Sequence, residues 1–298
     1  MAESHLEPRM EPEPRFDARA EYRFENRFER RPPGVVATYM LTARMWARSA
    51  LQYRASMVLT MLNSGVTASL ELLGILVVFG NVSSIGGFSL SEALYLYGTA
   101  QAAFFTSDLL FTGTEYLADR IRLGTFDSLL VRPVGVLPQV FADQFTPRRL
   151  APLVPAYAAL AIGVAEAPVH WTLLRVAMVP YTLLVGVAVF GAVWILVGAF
   201  QIVAADASEV MNSVTYGGQF MTSYPLSLYG RNLMLFLTFG LPLAYVNWQP
   251  TLYVLGHADP LGTPSVLRFA GPLFAAALWG LALLAWRAAL RHHRSTGS

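Results

Sequence analysis

Six blocks of apolar residues, at 57–80, 94–113, 150–164, 174–200, 210–228 and 269–290, recur along this chain. Each is near the roughly 20 residues that carry a helix across about 30 Å of hydrocarbon. A chain built this way is a membrane protein, because so much apolar surface has no other solvent to face. Composition agrees: 55% of the 298 residues are hydrophobic and 13% charged, about half the charge of an ordinary soluble domain, which is roughly a quarter. Little sequence is left for a second globular unit. The expectation is one all-α, polytopic membrane domain over 35–298, preceded by a charged tail over 1–34. A net charge of +2 gives no case for a nucleic-acid partner. Cysteine is absent, which removes disulfides, cysteine nucleophiles and thiolate metal sites together.

The tail alternates Arg15, Asp17, Arg19, Glu21, Arg23, Glu25, Arg27 and Glu29 with Phe16, Tyr22, Phe24 and Phe28. The pattern reads as a segment that is mobile or ordered by a partner, and it is too charged for a signal peptide. From Val35 to Arg54, Met40, Leu41, Met45 and Trp46 mix with Arg44 and Arg48, one helical turn apart. That composition suits a helix lying flat in the headgroup region.

A seventh apolar stretch, 233–255, is interrupted by Gly240, Pro242, Asn247 and Pro250. Its first unbroken piece, 233–240, would reach only about 12 Å as a helix, too short to cross, so the stretch is expected to be a re-entrant helical hairpin before the last helix. Tyr245, Trp248 and Tyr253 are expected at the interface. The arginines test this choice. Six crossings with an inner N-terminus place Arg44, Arg48, Arg54, Arg120, Arg122, Arg132, Arg148, Arg149, Arg287, Arg291 and Arg294 inside, against Arg175, Arg231 and Arg268 outside. A seventh crossing would send the last trio out and spoil the positive-inside bias. Both termini are therefore expected in the cytoplasm, with the chain multi-pass in the cytoplasmic membrane.

Enzyme signatures are sparse. All 21 basic residues are arginine, so the chain has no phosphate-binding loop of the kind that ends in Lys-Ser/Thr. The histidines, His5, His170, His257, His292 and His293, lack the paired spacing of a metal site, and His292 and His293 read as a solvated helix end. Ionisable and amide groups within apolar helices are more telling, since each is costly at the bilayer centre unless it faces protein or water. Glu71 and Gln101 lie about 21 and about 18 Å from the inner ends of their helices, close enough in depth to share a hydrogen bond. Asp108 is shallower. Glu71, Gln101 and Asp108 are candidates to line a substrate path; equally, they could be buried polar groups that fix helix packing.

The segment after the second crossing is distinctive. A charged helix through Glu115, Asp119, Arg120 and Arg122 ends at Gly124, Thr125 is a candidate N-cap, and Phe126, Leu129 and Leu130 form a short apolar helix closed by Pro133. Such a helix either docks a partner or folds back on its own bundle.

The run from Gly124 through Phe126, Asp127, Leu129, Leu130 and Arg132 to Pro133 resembles the coupling segment of type-two ATP-binding-cassette (ABC) exporter permeases. The runs 209–219, 224–229 and 242–250, with the closing 295–298, resemble one bacterial subfamily in which paired permeases accompany one ATPase. The resemblance covers about 35–298 and implies a permease subunit. That subunit would bind no cofactor itself and would depend on ATP and Mg held by a partner ABC ATPase, with a second permease, the same chain or a paralogue, beside it. Gly124, Phe126, Asp127, Leu129, Leu130, Arg132 and Pro133 would contact the ATPase, Phe126 and Leu129 filling a groove on it. The flat helix would cradle the same partner. Tyr224, Pro225, Tyr229, Pro242, Asn247 and Pro250 would shape an outer gate. Methionines and aromatics suit an amphipathic or lipophilic cargo. Two other readings stay open: a polytopic enzyme acting on lipids with Glu71 or Asp108 as base, and a non-transporting membrane scaffold.

Overall fold

The computed structural model describes residues 33–204 and 208–293. The alternating tail, Asp206 and the closing 295–298 lie outside the described residues. All named elements are helical: α1 (Val35–Gln52), α2 (Arg54–Phe79), α3 (Leu90–Phe111), α4 (Leu117–Arg122), α5 (Asp127–Leu130), α6 (Val136–Phe141), α7 (Leu153–Glu166), α8 (Leu173–Val203), α9 (Ser208–Thr222), α10 (Arg231–Leu235), α11 (Trp248–Leu255) and α12 (Gly271–His292).

Among the described residues four helical segments are long and apolar enough to cross a membrane: Arg54–Phe79, Pro147–Glu166, Leu173–Val203 and Gly271–His292. The expected second and fifth crossings, α3 and α9, fall outside this set for different reasons. The 22 residues of α3 give about 33 Å, enough to span, but they include Glu92, Gln101 and Asp108, which point inward and are buried. The 15 residues of α9 reach only about 22 Å. Its apolar sequence runs on to Leu228, but Pro225 disfavours helix at Tyr224 and stops it.

The centre of the bundle is α3, packed against α7 and α8, with α12 on the far side of α8. Glycines set these distances. A Cβ on Gly98 of α3 would meet the backbone of Leu160, and one on Gly163 of α7 the backbone of Tyr95, so the two helices cross with their backbones in contact, the small-residue packing that membranes favour. Gly198 of α8 leaves room for the Trp286 ring of α12, while Trp279 Nε1 donates to the Ala188 carbonyl at 2.7 Å. Phe104, Phe190, Trp194, Tyr245 and Trp248 fill the interior.

The helix at Val35–Gln52 forms as expected and is separated from α2 by a break at Tyr53 (φ −104°, ψ 61°). It rests on α6 and the start of α2. The stretch 233–255 is broken into α10, a π-helical turn (Phe236–Gly240), a 3₁₀ turn (Leu243–Tyr245) and α11, in accord with Gly240 and Pro242. Two of its aromatics turn into the protein. Tyr245 and Trp248 are buried, Tyr245 stacked on Phe274 at 4.2 Å and Trp248 against Phe88 at 5.5 Å, because their rings fill gaps that the broken backbone cannot.

Candidate functional site

Two helices present polar residues at one-turn spacing to a common space. On α2 these are Asn63, Thr67 and Glu71; on α9 they are Tyr216 and Gln219, with Ser223 in the turn directly after it. Between them and α3 lie two adjoining open cavities of about 430 Å³ and about 310 Å³, which share Glu71, Tyr216 and Gln219. Aromatic rings make up much of the remaining wall: Tyr97, Phe220 and Tyr224 in the larger, Phe104 and Phe105 in the smaller.

Glu71 and Gln101 meet as their depths predict. Gln101 Nε2 donates to Glu71 Oε2 at 2.9 Å, and Gln219 Nε2 donates to Gln101 Oε1 at 2.9 Å. Gln101 is buried, while Glu71 stands on the open side of α2. A chain of amides thus joins three helices and ends on a carboxylate at the cavity wall. Within the run 209–219 the sequence gives Tyr216 and Gln219 no path role; the signal that points to them is the three- and four-residue spacing of 216, 219 and 223, one helical turn each, beside the four-residue spacing of 63, 67 and 71 on α2.

Asp108 belongs elsewhere. Its carboxylate pairs with Arg149, whose other nitrogen reaches Glu115 at 2.8 Å, and Tyr216 donates its hydroxyl to Glu115 at 3.0 Å. Asp108 and Arg149 are both buried. Asp108 lines neither cavity and sits in a buried ion pair in which removing one partner would strand the other charge. The network ends on Tyr216, so the cavity wall is tied to the loop end of α3.

The segment after α3 corrects the sequence reading in three ways. Gly124 does terminate α4, with φ +69°, a conformation glycine adopts without strain. Thr125, however, is no N-cap: its hydroxyl donates back to the Arg120 carbonyl at 3.2 Å, and α5 has Phe126 at its N-cap position. Phe126 and Leu129 are 1% and 4% exposed and belong to the main core; two large apolar side chains next to an open groove of their own bundle bury there first. The apolar surface left outside is Leu123, 75% exposed, and Val131, 82% exposed, with part of Leu130. Arg132 and Pro133 are exposed beside them, Arg132 reaching Gln139 Oε1 at 3.3 Å. The third correction concerns His293. It is no solvated helix end: its ring packs edge-on against Phe126 at 5.1 Å and its Nε2 lies 3.0 Å from Asp127 Oδ1, tying the end of α12 to α5.

At the opposite end of α9, Tyr224 stands against Phe220 with ring centroids 5.2 Å apart and lines the larger cavity. Pro225 is buried and Tyr229 partly so. Pro242, Asn247 and Pro250 are buried as well. Asn247 Nδ2 donates to the carbonyls of Leu96 at 3.0 Å and Thr222 at 2.7 Å, so it holds α3 and α9 together and faces no opening. Among the described residues no cluster of three His, Asp or Glu side chains could hold a metal ion.

A profile of the ABC-2 family transporter proteins matches residues 66–297. No curated protein and no solved structure matches the chain. The matched residues take in α3 to α12, part of α2, the larger cavity, most of the smaller one and the segment around α5, and the chain therefore belongs to the ABC-2 transporter family as a multi-pass membrane protein.

Proposed function

We propose that this chain is the permease subunit of an ABC exporter, carrying an amphipathic or lipophilic cargo out across the cytoplasmic membrane. Family membership implies an ABC ATPase partner; the ATP and Mg belong to that subunit, and this chain performs no chemistry of its own. In this reading α2, α3, α7, α8, α9 and α12 are the six crossings, the broken stretch 233–255 is a re-entrant hairpin near the outer mouth, and both termini face the cytosol. The distribution of arginines supports that orientation. The cavities between α2, α3 and α9 form half of the cargo path, and a second copy of the chain closes the other side. Tyr224, with Phe220, stands at the outer end of the path.

The observation that carries the coupling half of this reading is the apolar patch Leu123, Leu130 and Val131 around a buried anchor. Phe126 and Leu129 root the short helix, Leu123 and Val131 meet the ATPase, and Arg132 adds a charge at the rim. A patch gripped from outside and rooted inside converts a partner's movement into movement of the bundle. Through His293 the pull reaches α12, and through Tyr216 and Glu115 it reaches the cavity.

The test is co-purification of ATPase activity with the tagged chain from its native membrane. Leu123→Asp combined with Val131→Asp is expected to remove most of it, about tenfold or more if the patch is a binding hot spot, with the melting temperature of the chain unchanged. Undiminished co-purification and transport would overturn the assignment of that patch.

A further inference from the structure

The cavities carry an unbalanced charge. Their walls contain one carboxylate, Glu71, and no arginine or histidine. Arg149, in the 3₁₀ turn Pro147–Leu150, is already engaged with Asp108 and Glu115. The amides are oriented toward this carboxylate: Gln219 donates to Gln101 and Gln101 donates to Glu71, so Glu71 acts as an acceptor and each amide strengthens the next. Among the described residues no other hydrogen bond reaches the Glu71 carboxylate. Tyr97, Tyr216, Phe220 and Tyr224 line the same cavity, and aromatic rings of this kind attract positive charge through their π-clouds. The volumes fall in the range that takes drug-sized molecules.

We propose that the cavity between α2, α3 and α9 takes bulky apolar organic cations, with Glu71 as the counter-charge and the surrounding aromatic rings as the bed for the cargo's apolar body. This rests on the permease reading and specifies the cargo's chemical class. An anion of the same size meets a carboxylate with no cation in the cavity wall, and a neutral molecule leaves that charge uncompensated. The alternative, that Glu71 and Gln101 only pin α2 to α3, predicts no discrimination by the sign of a ligand's charge.

The test uses the full chain in phosphatidylcholine nanodiscs, with empty discs as background, and two ions of nearly equal shape: tetraphenylphosphonium and tetraphenylborate. Saturable binding of the cation and none of the anion is expected. Glu71→Gln should weaken the cation about tenfold, roughly 1.4 kcal/mol for one charge contact, with Glu71→Asp retaining most of the affinity and Phe220→Leu lowering it. Equal binding of the two ions, absence of cation binding, or a folded Glu71→Gln variant with unchanged affinity would overturn the proposal. Should the variants fail to fold, the wild-type comparison of the two ions decides alone. Failure here with ATPase association intact overturns the cargo class only. Cation binding in a chain that never associates with an ATPase overturns the permease reading and leaves the site standing.

Discussion

Gly98 and Gly163 show how single residues set the architecture. Each sits where a Cβ would collide with the backbone of the facing helix, so no rotamer change can relieve a side chain there. Gly98→Ala or Gly163→Ala is therefore expected to lower stability by roughly 3 kcal/mol, the upper end of the cost of overpacking a filled core. Gly280 on α12 has open space around it. Gly280→Ala should be neutral or gain about 0.5–1 kcal/mol from helix propensity. Thermal melting in detergent, followed by loss of the monodisperse peak, separates the two. Equal behaviour of Gly98→Ala and Gly280→Ala would mean that α3 and α7 do not approach as closely as the structure has them. Asp108 and Glu71 carry the same contrast in charge. Both are carboxylates on apolar helices, yet one is held by Arg149 and the other ends a chain of amides at a cavity. Their separate fates were not legible in sequence, because Arg149 lies 41 residues from Asp108 along the chain, and no local spacing announces such a pair.

At the scale of elements, α5 shows where composition misleads. Phe126, Leu129, Leu130 and Val131 are equally apolar in sequence, and four residues of helix are too few for a periodic pattern to say which side faces in. The helix itself was legible, since Gly124 and Pro133 bound it, but its direction was set by a groove made of distant elements and by His293. Phe126→Ala should consequently behave as a core truncation and lower stability by about 3–5 kcal/mol, whereas Val131→Ala should fall within about 0.5 kcal/mol of the parent. The melting temperatures of the two variants provide the measurement; a stable Phe126→Ala chain that merely loses its ATPase would restore Phe126 as a contact residue. The broken stretch 233–255 was legible for the opposite reason. Gly240 and Pro242 act locally, so their effect on the backbone needs no tertiary information, while the burial of Tyr245 and Trp248 depends on Phe274 and Phe88 and could not be read from spacing.

The whole molecule has one face that a lipid cannot cover well. Over 271–284 every exposed residue of α12 is apolar or glycine, Leu273, Leu281 and Leu284 among them, and exposed charge comes only in its last turns at Arg287 and Arg291, as expected for a helix against acyl chains. Exposed residues of α2 divide into an apolar row, Leu59, Leu62, Val66, Leu70 and Val77, and beside it Asn63, Thr67 and Glu71. Polar groups at membrane depth face protein or water, so the α2 face should be closed by a second copy whose own polar row completes the path. The chain lacks cysteine, which makes single-cysteine variants clean reporters. Leu70→Cys, next to the polar row, is expected to form a disulfide-linked dimer in native membranes under mild oxidation, and Leu284→Cys to stay monomeric. A disulfide forms only when two Cα atoms come within about 7 Å, so random collisions in the bilayer favour neither position. Cross-linking at Leu284→Cys with none at Leu70→Cys would place the dimer on α12 and leave Glu71 facing lipid, an arrangement its charge opposes.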